Sequence, residues 1–136
     1  MADTIKKLTI EGFKSIRKLE DFPLGALNVL IGANGAGKSN FVGFFRLLRE
    51  MIEQRLQVAL ASTEGGADAC LYLGPKITGK FAAKLNFGKT GYEFALLPTP
   101  DNRLVFLEEA TVLDRDANAK WSFLGSGHPE SKLKKG

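Results

Sequence analysis

The stretch LNVLIGANGAGKSNFVGFF, from Leu27 to Phe45, sets a glycine-rich loop between two apolar segments. The first segment, from Leu27 to Ile31, is interrupted only by Asn28, as is typical of a strand buried on both faces of a parallel sheet. After the loop, apolar side chains recur every three or four residues, which predicts one amphipathic helix over about residues 38–60. The stretch therefore predicts a strand–loop–helix unit and an α/β fold.

The loop carries a phosphate-binding pattern, G-x-x-x-x-G-K-S, formed by Gly32, Gly37, Lys38 and Ser39. Glycines let the backbone approach a phosphate without an obstructing Cβ, and the free N–H groups at a helix start attract anions. We expect Lys38 to contact the β- and γ-phosphates of ATP as the catalytic lysine, and the Ser39 hydroxyl to bind Mg²⁺. The predicted cradle comprises Gly32, Ala33, Asn34, Gly35, Ala36, Gly37, Lys38, Ser39 and Asn40. The alternative is a glycine-rich turn that binds nothing.

The flanking sequence predicts strands on both sides of this unit. LTIEGFKSI alternates apolar and polar residues and predicts a first strand that leaves through a turn at Gly12, and Pro23 and Gly25 signal another turn. After a glycine-rich loop, KFAAKLNFG, YEFALLP and LVFLEEATVL predict an antiparallel meander within about residues 79–113, and KWSFLG predicts a further short strand. We expect residues 1–127 to form one unit and residues 128–136 to form a flexible basic tail.

Composition limits the possible classes of protein. The chain has one cysteine, Cys70, and one histidine, His128, so neither an internal disulfide nor a zinc site made of these two alone is expected. No apolar stretch approaches the roughly 20 residues of a membrane span, and the first ten residues do not resemble a secretory signal. These features indicate a cytoplasmic protein without a membrane partner. The net charge of +4 permits nucleic-acid contact, but a solvated surface with a basic end is the favoured explanation.

With LTIEGFKSI preceding VLIGANGAGKSNF, the chain resembles the N-terminus of the ATPase heads of the SMC, RecF and OLD-type proteins, which are ABC-class P-loop ATPases. A RecF-like bacterial ATPase is the nearest description, and Asn40 after GKS distinguishes it from transporter ATPases. The resemblance implies the N-terminal lobe of a head, with a mixed or antiparallel sheet around a long P-loop helix. It implies ATP and Mg²⁺ as cofactors, hydrolysis in a head-to-head homodimer, and work on DNA in repair or maintenance or in phage defence.

The same resemblance assigns further contacts. Asn34 would face the γ-phosphate, and Lys14 and Ser15, in FKS, would lie beside the nucleotide unless they form only a solvated turn. A complete head also needs an acidic strand end for Mg²⁺, a catalytic glutamate, a signature loop and a glutamine loop. No LSGG-like signature occurs, and Gln54 and Gln57 fall inside the predicted helix. The chain therefore resembles the first part of a larger head, and we expect nucleotide binding without appreciable turnover.

Two pairs of acidic residues could supply the acidic strand end that a complete head needs for Mg²⁺. Glu108 and Glu109 follow an apolar run, as a magnesium-linked strand end would, but the preceding TPDN turn favours a hairpin partner of YEFALLP. Asp114 and Asp116 are interpreted as a surface turn. Two other functions remain open, a nucleic-acid-binding module with a vestigial loop and an ABC transporter subunit. The first is motivated by the basic charge and the phenylalanine-rich strands, although such phenylalanines are more often core residues. They are Phe81, Phe87, Phe94 and Phe106.

Overall fold

The computed structural model describes residues 5–24, 35–113 and 118–133, with the backbone alone described over residues 35–39. In these ranges the chain forms six strands, two α-helices and a 3₁₀ turn. The strands are β1 (Lys7–Phe13), β2 (Ile16–Pro23), β3 (Phe81–Asn86), β4 (Gly91–Pro98), β5 (Leu104–Leu113) and β6 (Lys120–Gly125). The helices are α1 (Gly35–Ile52) and α2 (Leu56–Ser62), and the 3₁₀ turn spans Ala67–Cys70. The strand predicted at Leu27–Ile31 lies outside the described residues, as do Asp114 and Asp116.

The six strands form one sheet in the order β2-β1-β3-β4-β5-β6, and every neighbouring pair is antiparallel. The predicted meander is confirmed as β3, β4 and β5, and the predicted short strand KWSFLG is confirmed as β6. In β3, buried and exposed side chains alternate, because successive residues of a strand point to opposite faces of the sheet. The strand-forming runs and the turn sequences between them were therefore sufficient to locate these strands.

Helix α1 covers the inner face of the sheet with a row of aromatic and aliphatic side chains. The Phe44 ring packs edge-on against Phe13 and Phe81, with ring centroids 6.0 and 6.2 Å away, and Phe13 stacks on Phe81 at 4.9 Å. Phe81, Phe94 and Phe106 are at most 2% exposed. These three phenylalanines are therefore core residues, as the sequence favoured, and are not available for stacking on bases, whereas Phe87 packs against the core and is partly buried.

The first turn of the chain differs from the prediction. Strand β1 continues through Gly12, and the turn falls at Lys14 and Ser15, after which β2 follows unpredicted. Gly12 has φ of 77°, and a Cβ there would collide with the carbonyl oxygen of Lys80, so glycine serves close packing within the strand. Strand β2 is an edge strand whose side chains are mostly exposed, so its sequence lacks the alternation that marks a half-buried strand.

The predicted long helix is also wrong, because the chain forms two helices. Helix α1 begins at Gly35 and ends at Ile52, and α2 begins at Leu56 after Gln54, whose φ is 61°. The Arg55 amide donates to the Glu50 carbonyl oxygen at 2.8 Å across the break. Both helices bury apolar residues in one core, so the apolar period continues across the break and does not reveal it.

Two segments predicted to be irregular pack against the body of the protein. The glycine-rich segment after α2 includes the 3₁₀ turn and buries Ala67, Cys70 and Leu71. At the other end of the chain, where we expected a flexible tail, residues 128–133 lie against β5 with His128 and Ser131 buried. Across ranges 5–24, 35–113 and 118–133, no helix combines the length and the apolar character of a bilayer span.

Candidate functional site

The β1–β2 turn lies against the start of α1, close in sequence to the glycine-rich loop. The Asn40 side-chain amide donates a hydrogen bond to the Ser15 hydroxyl. The Lys14 backbone N–H donates to the Cys70 carbonyl oxygen at 2.9 Å, and Lys14 takes a positive φ of 49°. The first bond brings the FKS turn to the end of α1 that carries the motif, and the second joins it to the 3₁₀ turn. Two parts of the predicted site that are 25 residues apart are thereby adjacent.

Lys14 extends along the side of α1. Its Nζ lies 5.5 Å from the Phe13 ring centroid, and a Cβ built on Gly43 would lie 3.6 Å from this nitrogen. A cavity of about 260 Å³ opens here, lined by Lys14, Arg46 and Glu50 together with apolar residues of the core. Two cations and one carboxylate therefore face a cavity along the second half of α1, so the structure directs Lys14 toward Gly43 and away from the start of the helix.

Helix α1 begins within the motif itself, at Gly35, three residues before the predicted start at residue 38. The first N–H groups of a helix have no partner within the helix, and they point toward the preceding loop. The first turn of α1 carries no acidic residue, so no carboxylate there opposes a bound phosphate. The loop residues Gly32, Ala33 and Asn34 lie outside the described residues, and the predicted contacts of Lys38 and Ser39 stay predictions.

The sequence missed a second polar cluster, centred on Glu109. This carboxylate is 0% exposed and accepts hydrogen bonds from the Tyr92 hydroxyl at 2.5 Å and from the Lys132 backbone N–H at 2.9 Å. It also accepts a bond from the Ser131 hydroxyl, and His128 Nε2 lies 2.9 Å from its Oε1. We call this group the Glu109 cluster. The feature that distinguishes the Glu109 cluster is the burial of a glutamate within a strand, and burial cannot be read from the sequence pattern.

Hydrogen bonding sets the ionisation of this cluster. Burial alone would raise the pKa of Glu109, but the bonds from Ser131, Tyr92, Lys132 and His128 outweigh it and hold the pKa below its usual range. Burial, followed by the adjacent carboxylate, raises the pKa of the Tyr92 hydroxyl, which stays protonated as a donor. The cluster therefore holds one buried negative charge whose oxygens are already occupied.

This arrangement resolves the two roles proposed for Glu108 and Glu109. Strand β5 is the antiparallel partner of β4, so the hairpin interpretation is confirmed and these residues do not end a parallel strand. Within the part of the chain that the structure describes, no group of three or more histidine, cysteine, aspartate or glutamate side chains is placed to hold a metal ion. Glu109 could bind magnesium only if the hydrogen bonds of the Glu109 cluster were broken.

The two glutamines considered for a glutamine loop have structural partners. The Gln57 side-chain amide donates to the carbonyl oxygens of Leu104 at 2.7 Å and Pro129 at 2.8 Å. Gln54 donates to the Ser131 carbonyl oxygen at 3.3 Å. Both side chains join the α1–α2 junction to β5 and to residues 129–131, which agrees with the expectation that neither forms a glutamine loop.

Comparison with protein families matches residues 27–117 to a model described as "AAA domain, putative AbiEii toxin, Type IV TA system". The chain belongs to this AAA-domain family. The match begins before Gly32 and extends past β5, so the AAA domain includes the whole phosphate-binding pattern, both helices and the meander. It is a P-loop ATPase-like domain. No curated protein and no solved structure matched the chain.

Proposed function

We propose that this AAA domain binds ATP with Mg²⁺ through residues 32–39 and forms the N-terminal part of an SMC-, RecF- or OLD-like ATPase head. The observation that carries the proposal is the bond between Ser15 and Asn40, which joins the FKS turn to the first turns of α1. Two parts of the proposed site that are 25 residues apart in the chain are in contact through this bond. The family match over the same pattern supports nucleotide binding.

The residues present fit such a ligand. The helix start at Gly35 supplies free N–H groups, and its first turn carries no carboxylate. In the proposal, the backbone of residues 32–37 cradles the phosphates, and Lys38 neutralises charge on the β- and γ-phosphates. Ser39 contributes a hydroxyl to Mg²⁺, which would neutralise further phosphate charge when bound.

We do not expect this domain by itself to hydrolyse ATP at an appreciable rate. In the sequence, Glu109 follows an apolar run, as an acidic strand end for Mg²⁺ would. In the structure, however, four protein groups already form hydrogen bonds with its carboxylate. We propose that turnover occurs in a head-to-head homodimer of the full-length protein, acting in DNA repair or maintenance or in phage defence. The resemblance of the FKS and GKSN segments to RecF-like heads supports this assignment.

Isothermal titration calorimetry with ATP and Mg²⁺ tests the proposal on the intact chain and on two lysine variants. Lys38→Ala removes the predicted phosphate ligand, whereas Lys89→Ala removes an exposed lysine in the turn between β3 and β4. We expect saturable binding by the wild type and by Lys89→Ala, and at least a tenfold loss, about 1.4 kcal/mol, for Lys38→Ala. Equal binding by all three proteins, or binding by none, would contradict the proposal.

The family description supports a second role, because it names a toxin of a Type IV toxin–antitoxin system. A toxin whose action needs nucleotide would arrest bacterial growth on induced expression, and Lys38→Ala would relieve the arrest. Growth that is unaffected by the wild-type chain would reject the toxin role and favour the maintenance or defence role. Calorimetry and growth thus separate nucleotide binding from the process that it serves.

A further inference from the structure

The outer face of the sheet, opposite α1, carries two exposed aromatic side chains near the β6 edge. Trp121 is 47% exposed and Phe123 is 73% exposed. Phe123 is the register partner of Ala110, which in turn is the partner of Glu93, so these residues share one face of the sheet. Large apolar groups so exposed on neighbouring positions are typical of a contact surface.

The two aromatics line a surface cavity of about 290 Å³ together with two carboxylates. Its lining residues are Glu93, Glu108, Ala110, Trp121 and Phe123, and we call them the β6 cleft. The same two glutamates also line a larger groove across the outer face, of about 510 Å³. The cleft thus combines an aromatic wall with an acidic wall and opens onto a wider groove.

Among the described residues, no cation forms an ion pair with Glu93 or Glu108. Lys84 is the register partner of Glu93, but these two side chains form no ion pair in the part of the chain that the structure describes. The other lysines of the groove are engaged elsewhere, Lys18 with Glu20 at 3.3 Å and Lys80 with Glu11 at 3.6 Å. A cationic group entering the cleft would therefore meet two carboxylates without displacing an existing ion pair.

These features favour one kind of cation. A guanidinium is planar, stacks on aromatic faces and binds carboxylates through paired N–H groups, whereas an ammonium is a compact and strongly hydrated charge. Single-stranded nucleic acid also stacks on exposed aromatics, but its phosphates would be repelled by Glu93 and Glu108. We propose that the β6 cleft binds an arginine side chain of a partner protein. This site is separate from the proposed nucleotide site and does not depend on it.

Trp121 offers a direct assay, because it is the only tryptophan of the chain. Its fluorescence is followed while the intact protein is titrated with acetyl-arginine amide, and in parallel with acetyl-citrulline amide, a neutral molecule of nearly the same shape. We expect a saturable change with the arginine probe and at least about fivefold weaker binding of the citrulline probe. Loss of the charge alone then accounts for the difference.

Variants locate the binding. We expect Glu108→Gln and Phe123→Ala each to weaken binding of the arginine probe by about three- to tenfold, because each removes one wall of the cleft. The controls are Glu64→Gln, an exposed glutamate that follows α2, and Val58→Ala, an exposed apolar residue of α2. Both controls should bind the arginine probe as the wild type does. All four altered side chains are mostly solvent-exposed, and circular dichroism verifies that the variants are folded.

Three results would overturn the proposal. One is an equal response to arginine and citrulline, and another is an arginine response that survives both cleft variants. The third is a saturable fluorescence change with oligodeoxythymidylate that weakens with added salt, in the absence of any response to arginine amide. That result would identify the aromatic pair as a nucleic-acid surface instead.

Discussion

The Glu109 cluster and the β1–β2 turn are both polar, but they differ in how much of their bonding capacity is already used. Glu109 is fully buried, and four groups of the protein bond to its carboxylate. The turn is more exposed, and its Ser15 hydroxyl bonds to one neighbour, Asn40. A buried group with filled bonding capacity stabilises the fold, whereas an open group beside a helix start is free to meet a ligand.

Replacing Glu109 should cause the largest change in the free energy of unfolding. Glu109→Ala removes the carboxylate that accepts from the buried donors of Tyr92, Ser131 and Lys132, and we expect a loss of about 3–5 kcal/mol in the free energy of unfolding. The neighbouring Glu108→Ala, on the exposed face, should change it by no more than about 0.5 kcal/mol. Urea denaturation measures both, and similar losses would show that burial is not what separates the two glutamates.

The pH dependence of stability should reveal how much the negative charge of Glu109 contributes to the fold. Because the folded pKa of Glu109 is depressed, its carboxylate stabilises the fold fully above the unfolded pKa of about 4.3, and this contribution is lost as the pH falls through the folded pKa. Glu109→Gln should begin about 1–3 kcal/mol less stable at neutral pH.

The difference between wild type and Glu109→Gln should then shrink as urea denaturation is repeated from about pH 6 to about pH 3. A difference that is constant over this range would mean that the carboxylate contributes through its shape and neutral hydrogen bonds alone. Glu108→Gln is the matched control, and its difference from wild type should stay small throughout.

Glu130 should have an intermediate effect, since it ties residues 128–133 to the helices. Its two carboxylate oxygens accept the N–H groups of Leu56 at 2.7 Å and Gln57 at 3.1 Å at the start of α2. Glu130→Ala should therefore cost about 1 kcal/mol, as the loss of a helix N-cap does, and should speed hydrogen exchange of these two amides. The exposed Glu64→Ala is the control, and equal exchange rates in both variants would argue against a capping role.

Ser15 should give the smallest effect on stability. Ser15→Ala removes one exposed side-chain bond, so the free energy of unfolding should change by no more than about 0.5 kcal/mol. If the turn adjoins bound nucleotide, calorimetry should show about threefold weaker ATP affinity, with no change for the exposed Ser122→Ala on β6. A large loss of stability without any loss of affinity would make this turn a structural element like the Glu109 cluster.

The strands of the meander could be predicted from the sequence because their signals lie within a few neighbouring residues. The strands β3, β4 and β5 are rich in strand-forming apolar residues, and the turn sequences between them favour hairpins. The edge strand β2 escaped prediction because its exposed side chains give it no alternation of apolar and polar residues. The break at Gln54 escaped because both helices face one core, so the apolar period runs through it. Periodicity reports which face is buried, not where the backbone turns.

The sequence by itself determined the motif that predicts phosphate binding, the meander and the hairpin role of Glu108 and Glu109. These depend on spacing within a few residues, and spacing is a property of the chain. Only the tertiary structure decided that Ser15 meets Asn40, that residues 128–133 close over Glu109, and that Trp121 and Phe123 share an exposed acidic cleft. Each of these joins residues far apart in the chain, and such contacts arise only when sheet and helices pack on a common core.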